Sequence, residues 1–244
     1  MVNKMKMTEI ISDAVEYPFY NIKTFAVYSI IGIIGGIFGG TDFIEIVFSG
    51  GLNDPTLIAQ EFGYLGAVIL FIAYLLISGY NLDIIKYGIA KRSDTPGIYL
   101  ARQIPNALKL IVVQIVYYII PTVIILVLGF IFKNWFGSII GFIIAIIFAF
   151  AEFMAKCRLA KSNSLNSALA VNNAINDIAK IGMIKVVIMV LAIAIISFAL
   201  AFLLGFVYKY NSVIGGILFG ILNVYIVFAY NRATGLLYSK VDEF

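Results

Sequence analysis

The 244-residue chain reads as an all-helical integral membrane bundle of six spans, arranged as three hairpins with both termini on the cytoplasmic side. Three observations predict this. Six long apolar runs, at 24–40, 62–80, 110–132, 135–151, 186–208 and 212–230, each reach or approach the ~20 residues that cross a hydrocarbon layer ~30 Å thick. Hydrophobic residues make up 62% and charged ones 12%, with a mean hydropathy of +1.03, whereas soluble domains carry ~25% charged residues. Of the 17 lysines and arginines, all but Lys133 and Lys209 fall in segments that would share one side of the membrane. The spans leave only short connections, so the chain is a single membrane domain over 1–244 with hairpin units at about 8–80, 81–151 and 152–244.

The elements follow in order. Residues 8–17 form a short amphipathic helix, with Ile10, Ile11, Ala14 and Val15 on one side and Glu9, Ser12, Asp13 and Glu16 on the other. It is expected to lie along the membrane surface until Pro18 ends it. Lys4 and Lys6 precede it, but the apolar run starts only after Lys23 and no small-residue cleavage site follows, so no cleaved signal peptide is expected. After the first span, the loop 41–61 carries Asp42, Glu45, Asp54 and Glu61 without a single Lys or Arg, which places it outside. The segment 81–109, with Lys86, Lys91, Arg92, Arg102 and Lys109, belongs inside. There Leu82, Ile85 and Ile89 line up beside Lys86 and the Lys91-Arg92 pair, as in a helix lying on anionic headgroups. A tight turn at Lys133 joins spans three and four. The segment 152–185, with Lys156, Arg158, Lys161, Lys180 and Lys185, belongs inside and repeats the amphipathic pattern, with Leu165, Leu169, Ile175 and Ile178 among Asn166, Asn172, Asn173 and Asn176. A second tight turn at Lys209 leads into the last span. The exits Gly79-Tyr80-Asn81 and Ala229-Tyr230-Asn231 are loosely alike, as in a duplicated hairpin.

Lipid gives helices no hydrophobic reason to associate, so close approach of small residues supplies the contacts. Gly32, Gly36 and Gly40 in the first span, Gly137 and Gly141 in the fourth, and Gly216 and Gly220 in the sixth are spaced for it. These three spans are expected to form the tight seams. Polar groups at bilayer depth are few and uncharged: Gln114 and Pro121 in the third span, Ser197 in the fifth and Asn223 in the sixth. Gln114, Pro121 and Asn223 are the candidate cavity-lining residues, Pro121 through the backbone carbonyl it frees. Glu152 sits one turn before Lys156 and is placed to pair with it.

Chemical signatures are sparse. There is no histidine, so the commonest general base is missing, and Cys157 is the single cysteine, which excludes an intramolecular disulfide and the usual zinc and haem spacings. The acids of loop 41–61 do not have calcium-loop spacing. Ser162, Ser164 and Ser167 beside Lys161 read as a polar linker. No enzyme activity, metal or cofactor is expected. The net charge of +4 sits beside span ends instead of forming a patch with aromatic readers, so nucleic acid is not an expected partner.

Some of these residues also carry a resemblance. The run Asp13-Ala14-Val15-Glu16-Tyr17-Pro18-Phe19, followed by Lys23 and a glycine-rich span, resembles the opening of the largely archaeal membrane family called domain of unknown function 4013. Gly79-Tyr80, Ile84-Ile85-Lys86, Asp94, Pro96 and Lys109 are similar to that family's second span and basic loop. Gly97-Ile98-Tyr99 and Ala107-Leu108 depart from its pattern. The resemblance implies a multi-pass protein of an archaeal cell membrane and assigns no activity.

Two functions fit. In the first, a noncatalytic membrane component organises lipid or a cytoplasmic protein partner through the basic face formed by Lys86, Lys91, Arg92, Lys156, Arg158 and Lys161. In the second, a channel or facilitator passes a small or lipidic solute near Gln114, Pro121 and Asn223. Membrane lipid is a partner in both, and neither sets an oligomeric state.

Overall fold

Residues Pro55–Ile89 form one unbroken helix of 35 residues, well beyond the ~20 that a bilayer core requires. The excess carries the helix through the segment where a separate surface helix was expected. The computed structural model describes residues 5–37, 55–132 and 135–243, and all its regular structure is helical. In order these are α1 (Met7–Glu16), a 3₁₀ turn (Tyr17–Phe19), α2 (Ile22–Gly35), α3 (Pro55–Ile89), α4 (Leu100–Ile131), α5 (Trp135–Ser162), α6 (Leu165–Leu169), α7 (Val171–Ile181), α8 (Met183–Tyr210), α9 (Ser212–Tyr238) and a 3₁₀ turn (Ser239–Glu243). Helices α3, α4, α5, α8 and α9 are long and apolar enough to cross a membrane, while α2 is a shorter apolar helix of 14 residues. The expected first span is therefore helical from its start, with a π turn at residues 36 and 37. Its end at Gly40, the acidic stretch 41–54 and Lys133 lie outside the described residues.

Local chemistry sets the boundaries. Asn21 Oδ1 accepts from the Thr24 amide at 3.1 Å and Asn211 Oδ1 from the Ile214 amide at 3.0 Å, so an asparagine cap begins both α2 and α9. Glu9 Oε2 accepts from the Lys6 amide at 2.8 Å at the start of α1, and Pro18 follows its end. Gly182, at φ +96°, turns the chain between α7 and α8 in a conformation that an L side chain rarely adopts.

Helix α9 is the hub, packing on α3, α2, α8 and α1. It runs antiparallel to α2, with Gly32 and Gly36 set against Gly220 and Gly216. A Cβ on Gly32 would lie 2.5 Å from the Gly220 carbonyl oxygen. It runs parallel to α3, and the two helices cross at their last turns, where a Cβ on Gly88 would lie 2.9 Å from Gly235 Cα. Gly141 and Gly137 face Ile125 and Phe132 of α4 instead. Gly32 and Gly36 with Gly216 and Gly220 make the seam of α2 on α9, and Gly137 and Gly141 that of α5 on α4. Helix α2 packs on both α9 and α3.

Two further expectations change. Residues 82–89 do not lie on the membrane surface. They continue α3, and Leu82, Ile84 and Ile85 are fully buried. Residues 165–181 fold as α6 and α7 with Ala168, Ala174, Ile178 and Ile181 buried in the same core as Met154, Leu159 and Leu237. The apolar stripes of these amphipathic segments pack into one core, which removes their apolar surface from water. Helix α1 does likewise: Ile10 and Ala14 are buried on the core that includes Ala233 and Leu237 of α9, and only Val15 of its apolar face stays exposed.

Asp177 holds this layer together. It accepts from Arg158 Nη1 at 2.9 Å and from the Tyr238 hydroxyl at 2.7 Å, while Arg158 Nε donates to the Ser167 carbonyl at 2.8 Å. Asp177→Asn keeps the size but removes the countercharge of a largely buried guanidinium. It is expected to cost about 1–3 kcal/mol and to speed hydrogen exchange across 165–181; unaltered exchange there would contradict the tether.

Candidate functional site

Helices α3 and α9 leave their spans side by side and in the same sense, each ending on a Tyr-Asn pair, and Asn81 and Asn231 come to the same place. Between α3, α9, α2 and the inner faces of α4 and α5 lies a cavity of about 540 Å³. That is within the ~300–1,000 Å³ usual for small-molecule sites. Toward the far end its wall is mostly apolar, with Gly32, Gly35, Gly36, Leu70, Ala73 and Phe219, and Gln114 and Asn223 line it at the same depth. The glycines make this space, because Gly35 stands against Ala73 where any larger pair would close the gap between α2 and α3.

The other end is polar. Ser78, Asn81, Lys156 and Asn231 line it. At a rise of 1.5 Å per residue, Asn81 stands about 16 Å from Leu70 along α3, so the cavity is elongated with a head and a tail. Lys156 Nζ is 2.7 Å from Glu152 Oε1, one turn back on α5, which neutralises the one charged lining side chain inside the protein. Asn231 Nδ2 donates to the Val227 carbonyl at 2.7 Å and the Tyr74 hydroxyl donates to Gln114 Oε1. Asn81 is 8% exposed, and its Oδ1 is buried out of reach of the cavity with no hydrogen-bond partner, a state costing about 1–3 kcal/mol; Glu152 Oε1 likewise makes no hydrogen bond beyond its ion pair.

Of the three residues singled out for a cavity, the structure brings Gln114 and Asn223 to the same wall. Pro121 is buried on the face of α4 that carries Val113 and Tyr117 and does not line this space. Ser78, Asn81, Lys156 and Asn231 were not assigned to it from sequence. The one signal that pointed there was the similarity of the two Tyr-Asn exits.

The six cations of the expected basic face divide. Lys86, Lys91, Arg92 and Lys161 are exposed, whereas Lys156 and Arg158 turn inward to Glu152 and Asp177. Arg92 stacks over Tyr87 and chelates Asp94, and the guanidinium hydrogen bonds hold the Asp94 carboxyl below the usual range. A second polar cluster is fully used for structure. The Tyr28 hydroxyl donates to Gln103 Oε1 at 3.0 Å, Gln103 Nε2 donates to Asp83 at 3.0 Å and to the Gly97 carbonyl at 3.1 Å, and Arg102 Nη2 donates to Asp83 at 2.8 Å. Gly79, set against the Gln103 backbone, brings α3 and α4 close enough for it. Among the described residues no three of Cys, Asp and Glu converge as a metal site would require, and Cys157 is buried. Ser162 Oγ donates to the Arg158 carbonyl at 2.7 Å, an internal helix bond.

Residues 62–208 match the model of one protein family, described as "Protein of unknown function (DUF4013)". The match runs from within α3 nearly to the end of α8, so it takes in one wall of the cavity and leaves out α2, α9 and the resembling residues 13–23. No curated protein and no solved structure matches the chain.

Proposed function

The chain belongs to the DUF4013 family, whose description assigns no activity, and from that premise we propose that it is a noncatalytic multi-pass membrane protein that takes an amphipathic, lipidic solute into the cavity between α2, α3 and α9. The observation that carries this reading is an elongated cavity with a mainly apolar wall that ends among Lys156, Ser78, Asn81 and Asn231. An amphiphile entering it keeps its chain among Leu70, Ala73 and Phe219 and exchanges its headgroup water for buried amides. Exposed Tyr74 and Asn223 mark the side from which a solute in the bilayer would reach the space. The protein would act as a facilitator or carrier for that solute, in a cell membrane and with its basic end toward the cytoplasm.

The basic face supports the organising role less well, because Lys156 and Arg158 are committed to internal ion pairs and Arg92 to Asp94. Surface pairs such as the last add little.

Binding and flux in lipid nanodiscs and proteoliposomes, measured over a panel of single-chain amphiphiles, test the reading. Val227→Trp places a large ring in the cavity from α9, at a position only partly buried, and is expected to lower binding and flux at least about tenfold while the protein still elutes as a folded species. Equal rates across the panel, unchanged by the substitution, would refute the role.

A further inference from the structure

The ends of three long helices enclose a second, smaller space. Its floor is apolar and buried, Leu82 of α3 with Leu159 and Ala160 of α5. Its walls are polar: Asp83 and Lys86 near the end of α3, Arg102 and Asn106 in the first turns of α4, and Asn163 just past the end of α5. The volume is about 40 Å³. One water needs ~10–15 Å³, so the space takes about three oxygens, enough for one small oxyanion and too little for a sugar or a base.

Donors dominate these walls. Among the described residues the side chains of Lys86 and Asn106 make no hydrogen bond or ion pair. The cluster around Asp83 engages Nη2 of Arg102, a side chain half exposed, and leaves its Nε and Nη1 hydrogens over. Lys109 Nζ donates to Asn163 Oδ1 at 2.8 Å and to the Asn163 carbonyl at 3.2 Å. A lysine has only donors, so this bond turns the Asn163 oxygen toward Lys109, and what Asn163 has left to offer is its amide hydrogens. The one acid on the wall, Asp83, has a side chain 6% exposed, and its Oδ2 already accepts from Arg102 and Gln103. Lys86, Arg102 and Lys109 against Asp83 leave an excess of two positive charges here. That excess repels a cation, while an anion gains a charge-assisted bond from each remaining donor. Donors on three helices suit a group with three outward oxygens better than a planar carboxylate with two. We propose that this pocket binds a phosphate group through Lys86, Arg102, Asn106 and Asn163. The group is that of a membrane lipid or a free phosphate, and the site does not depend on the larger cavity holding a solute.

The test titrates the full chain in nonionic detergent with inorganic phosphate, beside sodium chloride at equal ionic strength, and reads the unfolding midpoint, which a ligand of the folded state raises. Phosphate also stabilises proteins by exclusion from their surface, so the readout is the difference between parent and variant. Lys86→Gln and Asn106→Leu, which remove side chains without partners, are each expected to need about tenfold more phosphate for the same rise. Lys185→Gln, which removes the same charge from an exposed residue of α8, and Val227→Trp in the larger cavity are expected to respond as the parent does. In a second arm, nanodiscs of phosphatidylcholine containing phosphatidic acid are analysed by native mass spectrometry. Phosphatidic acid retained by the parent and lost from Lys86→Gln assigns the group to a lipid; a phosphate-dependent midpoint without that retention assigns it to free phosphate. Parent and Lys86→Gln alike in both arms, or Lys185→Gln impaired as much as Lys86→Gln, would overturn the site and leave the cavity reading untouched.

Discussion

Asp13→Leu is expected to destabilise the protein by about 3–5 kcal/mol, seen as a large fall in the unfolding midpoint of detergent-solubilised material. Arg232, near the end of α9, is 2% exposed and its guanidinium donates to Asp13 through Nε at 2.6 Å and Nη2 at 3.2 Å. Its third contact is the Arg92 carbonyl at 2.8 Å, so α1, the end of α3 and the end of α9 meet on one buried cation. Removing Asp13 strands that charge. Tyr17, whose ring lies 4.8 Å from the guanidinium carbon, does not replace it, because burial pushes the hydroxyl well above its ordinary range and keeps it protonated. Arg232→Met is expected to cost less, since Asp13 is 24% exposed and turns to water. Combining the two substitutions is expected to recover much of the loss. A midpoint for Asp13→Leu equal to the parent's would show that the pair does not hold α1.

Gly220→Leu is the second large effect. A Cβ there would meet Gly32 backbone carbon at 2.5 Å and Ile33 Cα at 2.6 Å, and backbone atoms of a facing helix do not rotate aside. The α2–α9 seam must open, at a cost above the about 1–3 kcal/mol of ordinary overpacking, and one wall of the cavity moves with it. Gly141→Leu is expected to be milder, because its Cβ would meet only the Ile125 side chain, 3.3 Å away. Gly129→Ala, with nothing within 4 Å, is expected to be neutral or to stabilise by about 0.5–1 kcal/mol. Thermal unfolding of the three variants in one detergent gives the order; a Gly220→Leu protein as stable as Gly129→Ala would disprove the seam.

Much of the architecture was legible because the solvent is lipid. Apolar length, asparagine caps and glycine spacing are properties of one segment at a time, and α2, α4, α8 and α9 begin or end close to where those signals stand. The stripe Leu82-Ile85-Ile89 was read correctly as amphipathic and incorrectly as surface-lying. Periodicity shows that a helix has an apolar face but not whether membrane or protein covers it. Gln114 and Asn223 stood out because a polar residue within a span is conspicuous, and the cavity includes both. Asn81, Asn231 and Lys156 sit at span ends, where polar residues are ordinary, so nothing local separated them from interfacial anchors. Gly88 and Gly235 were passed over for the same reason.

The amino-acid sequence alone determined that this is a helical chain with helices apolar enough for a membrane and that Gly32, Gly36, Gly216 and Gly220 are spaced for close approach, since each follows from single segments and their side chains. Only the tertiary structure decided which ridge meets which, that α9 lies at the centre, and that Asn81, Asn231 and Lys156 share one cavity with Gln114 and Asn223. Those are relations between residues up to 188 positions apart in the chain, as for Gly32 and Gly220. They depend on how rigid helices pack, a property of the whole bundle that no single segment encodes.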